Sequence, residues 1–318
     1  MIKSYECFLA VCETMHFTRA ANILHISQQA LSEQIKKLED DMDVQLFVRK
    51  PKLALSPAGL ILEESLKKMA VIERAMTAQI SELLNIETGT VNIGIHSARA
   101  LVVFSPILAE FHRRYPQVCI NMVSDQTINY IKLLERGSID FFFGINAPVE
   151  GRSNLIVDNI VDEPMYLIIS SSALKLSFGD QYNKIIDTYR DGFDLSLLSD
   201  VPFIFSRPIS HGQNAINKYL ARKGITVRQA IIFEDYAISY KFISSIEGAC
   251  FEYKTMLPFV ESYNASLPEN EKLYWFPLVD FHENLSLSLT RYSGAYLPPY
   301  SVHLYNLIKK TYQELVSR

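Results

Sequence analysis

Leu24-His25-Ile26-Ser27-Gln28-Gln29-Ala30-Leu31-Ser32-Glu33-Gln34-Ile35-Lys36-Lys37-Leu38 is the stretch that decides the architecture of the chain's first part. Leu31, Ile35 and Leu38 share one helical face, and Ser27 stands where a helix cap belongs. The spacing predicts a helix over 28–42. Gln28, Gln29, Ser32, Glu33 and Lys36 form a second stripe opposite the apolar one. Taken alone, that stripe reads equally well as a solvated face. Its surroundings favour a sharper reading. Thr18 offers a capping hydroxyl ahead of a short helix over 19–24, whose adjacent Ala20 and Ala21 permit close helix approach. Only His25 and Ile26 separate that helix from Ser27, the short turn of a helix-turn-helix. Further upstream, Ile2, Tyr5, Phe8, Leu9 and Cys12 recur at helical spacing. A helix so placed fits the major groove, where glutamine amides match the paired donor and acceptor of adenine.

Downstream, residues 46–55 suggest two short β segments around the basic tip Arg49-Lys50-Pro51-Lys52. Cations at such a wing reach phosphates or a minor groove. Ser56 then caps a new helix with Pro57 at its first position.

In order, Phe8, His16-Phe17-Thr18-Arg19-Ala20-Ala21, Leu24 to Ser32, Gln34-Ile35-Lys36-Lys37-Leu38-Glu39, Leu46-Phe47-Val48-Arg49 and Ala58-Gly59 resemble the DNA-binding signature of LysR-type transcription regulators. The specific part of the resemblance spans residues 8–59, and a diffuse likeness covers nearly all of the rest. It implies base contacts from Gln28, Gln29 and Ser32, wing contacts from Arg49, Lys50 and Lys52, and supporting DNA contacts from Thr18, Ser27 and Lys36. Two positions depart from the pattern. Asp43 stands where a glycine is usual, which implies a tighter or strained turn after the third helix. Glu33 stands where many members have arginine. A carboxylate there repels phosphate or accepts from a cytosine amino group, so operator preferences do not transfer simply.

From residue 57 to about 86 the chain reads as one long helix, with Leu62, Leu66, Met69, Ile72, Met76, Ile80 and Leu83 at steps of three and four. That is a coiled-coil seam, extending on the order of 45 Å at ~1.5 Å per residue. A core helix within one domain is the competing reading; so long a helix favours dimerisation. The resemblance implies that it pairs two subunits over a dyad operator, an interrupted inverted repeat, and that two such dimers form a tetramer.

Beyond residue 90 the pattern changes to strand and helix in alternation. Strands are expected at 91–95, 118–123 and 139–145, with helices over 100–115 and 127–136. A second unit follows with strands at 165–169, 202–205 and 230–233 and helices near 214–222 and 237–246. The chain is expected to return to the first unit at 285–290 and end on a helix over 300–315. This is doubly wound parallel-sheet order, and two such lobes with a double crossover resemble a periplasmic-binding-protein fold. The whole chain is thus expected to be α/β: a winged helix-turn-helix (1–58), a linker and dimerisation helix (59–88) and a two-lobed effector-binding domain (89–318). Lobe I takes about 89–163 and 284–318, and lobe II about 164–283.

Ligands of such folds sit at the carboxyl ends of strands, where helix N-termini offer free N–H groups. The matching places hold Ser97 and Arg99, Gln126 and Thr127, Asn146, Ser206 and Arg207, and Gly248. Ser97, Thr127 and Ser206 are the expected hydrogen-bonding residues. Arg99 and Arg207 are candidates for clamping an anionic effector. As plain structure, the serines are helix caps and the arginines surface charges. Residues 170–200 are longer than the resemblance leads one to expect; the Tyr- and Asp-bearing run 180–198 offers an extra helix over the cleft or at a subunit contact, and a decorated loop is the preferred reading. The adjacent Phe141, Phe142 and Phe143 are read as core.

Composition bounds the alternatives. The chain has 318 residues, 48% hydrophobic and 21% charged, which suits two or three globular domains. Its net charge of −4 does not announce nucleic-acid binding, and acidic and basic residues cancel over 1–60. No apolar run approaches the length of a membrane span and the first residues lack a secretory pattern, so a cytoplasmic protein without membrane contact is expected. Cys7, Cys12, Cys119 and Cys250 have no metal-ligand spacing and are expected to be free thiols behaving as small hydrophobes. No metal or other cofactor is expected. The runner-up class is a non-transcriptional α/β ligand-binding or catalytic protein carrying a helix-turn-helix. Against catalysis, the chain lacks G-x-S-x-G, G-x-G-x-x-G, Walker-type and H-E-x-x-H motifs, and His96 is the only histidine near the expected cleft. The expected role is a regulator that binds double-stranded DNA, responds to a small effector and engages RNA polymerase.

Overall fold

The computed structural model describes residues 3–48, 52–83, 88–125, 127–147, 153–198, 200–207, 210–233, 236–283 and 285–317. Helices α1 (Lys3–Thr14), α2 (Phe17–Ile23) and α3 (Gln28–Met42) enclose a small core of Phe8, Val11, Ala20, Ala21, Leu31 and Ile35. Ser27 caps α3 by accepting from the Ala30 N–H at 3.1 Å. Thr18 does not cap α2. That helix begins two residues earlier than expected, at Phe17 behind His16, and Thr18 lies inside its first turn. At the far end of α3, Asp43 adopts the left-handed conformation (φ 52°), and Val44 N–H closes the helix on the Glu39 carbonyl at 3.1 Å. The position thus demands what glycine supplies freely, and an aspartate tolerates it.

Strands β1 (Phe47–Val48) and β2 (Ala54–Leu55) pair antiparallel as the root of the wing. Glu39 holds that root against α3, its Oε1 accepting from the N–H groups of Leu46 (2.8 Å) and Phe47 (3.2 Å). Helix α4 (Pro57–Leu83) follows, its first turn capped by Ser56, whose Oγ accepts from Gly59 N–H at 2.9 Å. A side chain at Gly59 would meet the Leu46 carbonyl oxygen at 2.2 Å, so only glycine lets α4 seat against the wing. At ~1.5 Å per residue α4 extends roughly 40 Å.

The next elements are β3 (Gly89–Ile95), α5 (Ser97–Arg114), β4 (Val118–Val123), α6 (Thr127–Glu135), β5 (Phe141–Ile145) and β6 (Leu155–Asp162). Then come β7 (Met165–Ser170), α7 (Ser171–Phe178), α8 (Tyr182–Thr188), β8 (Pro202–Ser206), α9 (His211–Lys223) and β9 (Arg228–Phe233). The series ends with β10 (Ala249–Tyr253), α10 (Leu257–Ala265), β11 (Leu273–Pro277), β12 (Ser286–Tyr292) and α11 (Pro299–Ser317). Two five-stranded sheets result, ordered β4-β3-β5-β12-β6 and β11-β7-β10-β8-β9. The chain crosses between them twice, at 163–164 and 278–285, and the two crossings touch where Glu163 N–H donates to the Leu285 carbonyl at 3.1 Å.

Purely parallel order is not what forms. In the first sheet β12 runs antiparallel to both β5 and β6, and in the second β7 runs antiparallel to β10 and β11. A strand entering from a crossover meets its sheet from the opposite side, which reverses its direction. Strands β6, β10 and β11 had no counterpart in the sequence reading, and the helix expected over 237–246 is two 3₁₀ turns, Tyr236–Lys241 and Ser244–Ile246. The three adjacent phenylalanines are core on both faces of β5. Phe141 and Phe143 join the main core, and Phe142 stacks on Tyr130 at 5.4 Å.

Residues 171–198 are not a loose loop. They form α7, α8 and short turns around the fully buried Phe193, which packs on Phe276 and Tyr189. Phe193 bridges Leu278 in parallel, and its N–H donates to the Pro277 carbonyl at 2.7 Å. The segment therefore braces the second crossing. Among the described residues no helix is long and apolar enough to cross a membrane. All four cysteines are free, with Cys7 and Cys250 buried and Cys119, contrary to a small core hydrophobe, exposed.

Candidate functional site

The first candidate surface is the outer face of α3. Leu31, Ile35 and Leu38 turn inward, leaving Gln28, Gln29, Glu33 and Lys36 exposed and Ser32 half-buried. Two side-chain bonds organise this face. Thr18 Oγ1 donates to Gln28 Oε1 at 2.8 Å, so the residue expected as a cap instead steadies the first amide of the next helix. Gln29 Nε2 donates to Glu33 Oε1 at 3.3 Å, one helical turn on. Ser27 spends its hydroxyl on the helix cap. Of the wing cations, Lys52 is exposed beside β2, whereas Arg49 and Lys50 lie outside the described residues.

Behind this head, α4 leaves Met69, Ile72, Met76, Ile80 and Leu83 exposed, Ile72 at 67% and Leu83 at 83%. Leu66 alone of the seam is buried, against the helix-turn-helix core. A row of large apolar side chains in water is a surface that association would cover.

The second candidate surface is the cleft side of the two sheets. On lobe II a small cavity of about 20 Å³, room for little more than a water, is lined by Ser206, Ser210, Gln213 and Ser239 together with apolar Met165, Ile204 and Phe251. Ser210 caps α9 by accepting from Gln213 N–H at 3.1 Å, and its hydroxyl bonds Ser206 Oγ at 2.8 Å. Gln213 Oε1 accepts from Ser206 N–H at 2.9 Å, closing the corner between β8 and α9. Burial holds the His211 imidazole below its ordinary pKa, favouring its neutral form beside this wall.

Of the expected effector residues that the structure describes, only Ser206 lines that cavity. Ser97 is exposed at the start of α5, its N–H donating to Ser124 Oγ at 3.2 Å. Thr127 is half-buried at the start of α6, against Gly144. Arg207 is exposed after β8, and Gln126 lies outside the described residues. Asn146 braces the second crossing: its Oδ1 accepts from Ser286 N–H at 2.9 Å and its N–H donates to the Ser286 carbonyl at 2.8 Å. Gly248 is buried, and a side chain there would stand 2.4 Å from the Pro202 carbonyl oxygen, so its role is close packing of β10 on β8. Ser210, Gln213 and Ser239 were not foreseen. The Ser-x-x-Gln spacing of Ser210 and Gln213 is the sequence signal of a helix start that could have found the first two.

Arg99 requires correction as an open clamp. It is 5% exposed, its Nη1 donating to Glu163 Oε2 at 2.6 Å and to Tyr312 Oη at 2.7 Å, with its guanidinium 4.5 Å from the centre of the Tyr253 ring. Tyr312 Oη also donates to Glu163 Oε2 at 2.9 Å, and Thr255 donates to the other carboxylate oxygen. Burial holds the Tyr312 phenol well above its ordinary pKa, so it remains a donor. A carboxylate sunk this deep demands a cation and several donors, and Arg99 is that cation.

A larger cavity of about 520 Å³ lies elsewhere, between α4 and the first sheet, bordered by Thr77, Asp140, Tyr292, Tyr296 and Tyr300. It is walled on one side by a single helix, unlike the corner at β8 and α9.

Comparison with known proteins places these surfaces. The model of bacterial regulatory helix-turn-helix proteins of the lysR family matches residues 2–60, and that of the LysR substrate binding domain matches residues 85–312. The chain is 29% identical over 205 residues to the HTH-type transcriptional regulator YtlI of Bacillus subtilis, covering 64% of this chain and 62% of that one. It is 31% identical over 169 residues to the hydrogen peroxide-inducible genes activator of Pectobacterium carotovorum, covering 53% of this chain and 55% of that one. The match thus spans less than two thirds of either relative. Among solved structures, a full-length OxyR variant from Pseudomonas aeruginosa superposes with a TM-score of 0.64 at 16% identity, covering 98% of this chain and 94% of that one. CbnR complexed with its target DNA gives 0.58 at 17% identity, covering 98% and 99%. At such identities the likeness concerns the fold. Two family models that together take in nearly the whole length, on a fold shared from end to end, decide the matter: the chain belongs to the LysR family of bacterial regulators.

Proposed function

We propose that the protein is a sequence-specific DNA-binding transcription regulator, controlled by a small molecule held between its two α/β lobes. The observation that carries this reading is the polar outer face of α3, set by Thr18 and Ser27 and joined through α4 to a domain of two sheets linked by two crossings. Gln28, Gln29, Ser32 and Lys36 are assigned to the DNA, with Arg49, Lys50 and Lys52 at the wing. The division is a reading head at 1–58, a linker at 59–88 and an effector domain at 89–318. Two subunits pair through the exposed seam of α4, so that two heads meet an interrupted inverted repeat, and two dimers make a tetramer. That CbnR, a protein of the same fold, has been seen on its target DNA supports the arrangement.

The effector's side of the reading rests on Ser206, Ser97 and Thr127 across the cleft. With Arg99 neutralised by Glu163, an anionic ligand would rely on Arg207 and on the N–H groups that open α5, α6 and α9. Ligand closure tilts the lobes about the crossings, which respaces the heads and alters DNA bending and access of RNA polymerase. The role is regulatory and cytoplasmic, beside the DNA it reads, and no catalytic step is assigned.

Selection of bound fragments from the source genome by full-length protein at moderate salt tests this. Enrichment of one interrupted inverted repeat is expected. Equal retention of all fragments would contradict it.

A further inference from the structure

The two amides at the start of α3 are held in opposite senses. Gln28 Oε1 accepts from the Thr18 hydroxyl, which leaves its amide N–H groups as the outward, donating end. Gln29 is held the other way. Its Nε2 donates to Glu33 Oε1 at 3.3 Å, and a carboxylate oxygen accepts but does not donate, so the amide meets Glu33 in one orientation only. All three side chains are exposed; Gln29 and Glu33 lie one turn apart on the face opposite Leu31 and Ile35, and Gln28 stands beside them at the helix start. The helix therefore offers a donor at Gln28 and, beside it, a unit dominated by acceptors: the Gln29 carbonyl oxygen and the Glu33 carboxylate.

Base edges in the major groove answer these two chemistries differently. Adenine N6 and cytosine N4 are amino donors, whereas guanine O6 and N7 and thymine O4 only accept. An acceptor facing an acceptor leaves both unpaired in a desolvated contact, which penalises the wrong base as well as favouring the right one. The same carboxylate lies close to a polyanion, so it lowers affinity for every duplex while sharpening choice among them.

We propose that Glu33, acting with the Gln29 amide it orients, is a specificity-determining residue that restricts one position of each half-site to bases bearing a major-groove amino group, adenine or cytosine. The proposal rests on the reading of α3 as the DNA-contacting helix. It makes Glu33 a residue retained for discrimination at a cost in overall binding strength.

The test is selection from a random duplex library with the full-length wild type and its Glu33→Gln and Glu33→Arg variants, alongside affinities for the selected and a scrambled duplex. Position 33 is exposed, and circular dichroism checks that each variant keeps its helices. The wild type is expected to prefer adenine or cytosine at one half-site position by about tenfold. Glu33→Gln should reduce that preference below about threefold while binding the scrambled duplex more tightly, and Glu33→Arg should shift the choice there to guanine. Variants that retain the wild-type preference at every position would overturn the proposal while leaving DNA reading intact. A wild type that enriches no motif would overturn the DNA reading itself and the proposal with it.

Discussion

Arg99 and Glu163, 64 positions apart in the chain, form a buried ion pair at 2.6 Å where the first crossing leaves lobe I. Thr255 of lobe II and Tyr312 of α11 complete it, so both lobes and the crossing share one set of hydrogen bonds. The pair is a joint, and its energetics differ from those of an exposed clamp. Removing one member strands a charge in the interior, which typically costs 3–5 kcal/mol, whereas removing both can be nearly neutral.

Glu163→Gln should therefore destabilise the effector domain by about 3 kcal/mol, and Arg99→Met by a similar amount. The double variant Arg99→Met/Glu163→Gln should recover a large part of the loss. Urea titrations of the four proteins measure this. Equal and additive losses would show that the two residues do not act as a pair.

Asp43 holds a left-handed backbone at φ 52°, ending α3. Glycine reaches that conformation without the steric penalty of a side chain. Asp43→Gly should raise the stability of the helix-turn-helix by about 1 kcal/mol, after the entropy glycine regains in the unfolded chain is subtracted. A rise in the thermal midpoint of that domain is the expected reading.

Ile72 and Met76 are exposed on adjacent turns of α4 in a single chain. If association covers them, Ile72→Glu/Met76→Glu places charges inside the seam and should yield monomers in sedimentation equilibrium at concentrations where the wild type is a dimer or tetramer. The monomeric variant should bind a dyad operator far more weakly than the wild type.

Burial lowers the His211 pKa below its ordinary 6.5, so the unfolded chain binds this proton more readily than the native one. Stability must then rise with pH through about 6.5 and fall as the solution is acidified, the penalty being complete below the native pKa. His211→Gln should flatten this part of the melting profile between pH 5 and 7.5, in proportion to the fraction of the ring that solvent leaves covered.

What the sequence made legible was local. Ser27, Leu31, Ile35 and Leu38 lie within one helix, and Ala58-Gly59 needs only the neighbouring Leu46 carbonyl to explain it. The head could thus be read from periodicity and caps. Thr18 was misassigned because a threonine before a helical run looks like a cap, and its bond to Gln28 spans ten residues. The joint was illegible because Glu163, Thr255 and Tyr312 are brought together only by the two crossings. Arg99 accordingly looked like a charge in search of a ligand. Strands β10 and β11 escaped because β10 is interrupted by the buried Glu252, and β11 mixes Tyr274 and Trp275 with a terminal proline. The braced segment 171–198 looked like decoration because its anchor, Phe193, stands between Asp191 and Asp194 and packs on Phe276, more than eighty positions away.

The account stands or falls on α3 reading bases. The most direct measurement compares full-length wild type with Gln28→Ala/Gln29→Ala on an enriched duplex and on a scrambled one, at the same salt. The double variant should lose at least about tenfold in affinity for the enriched duplex while binding the scrambled one as before, because phosphate contacts remain and base contacts do not. An unchanged ratio between the two duplexes would contradict the assignment of this helix.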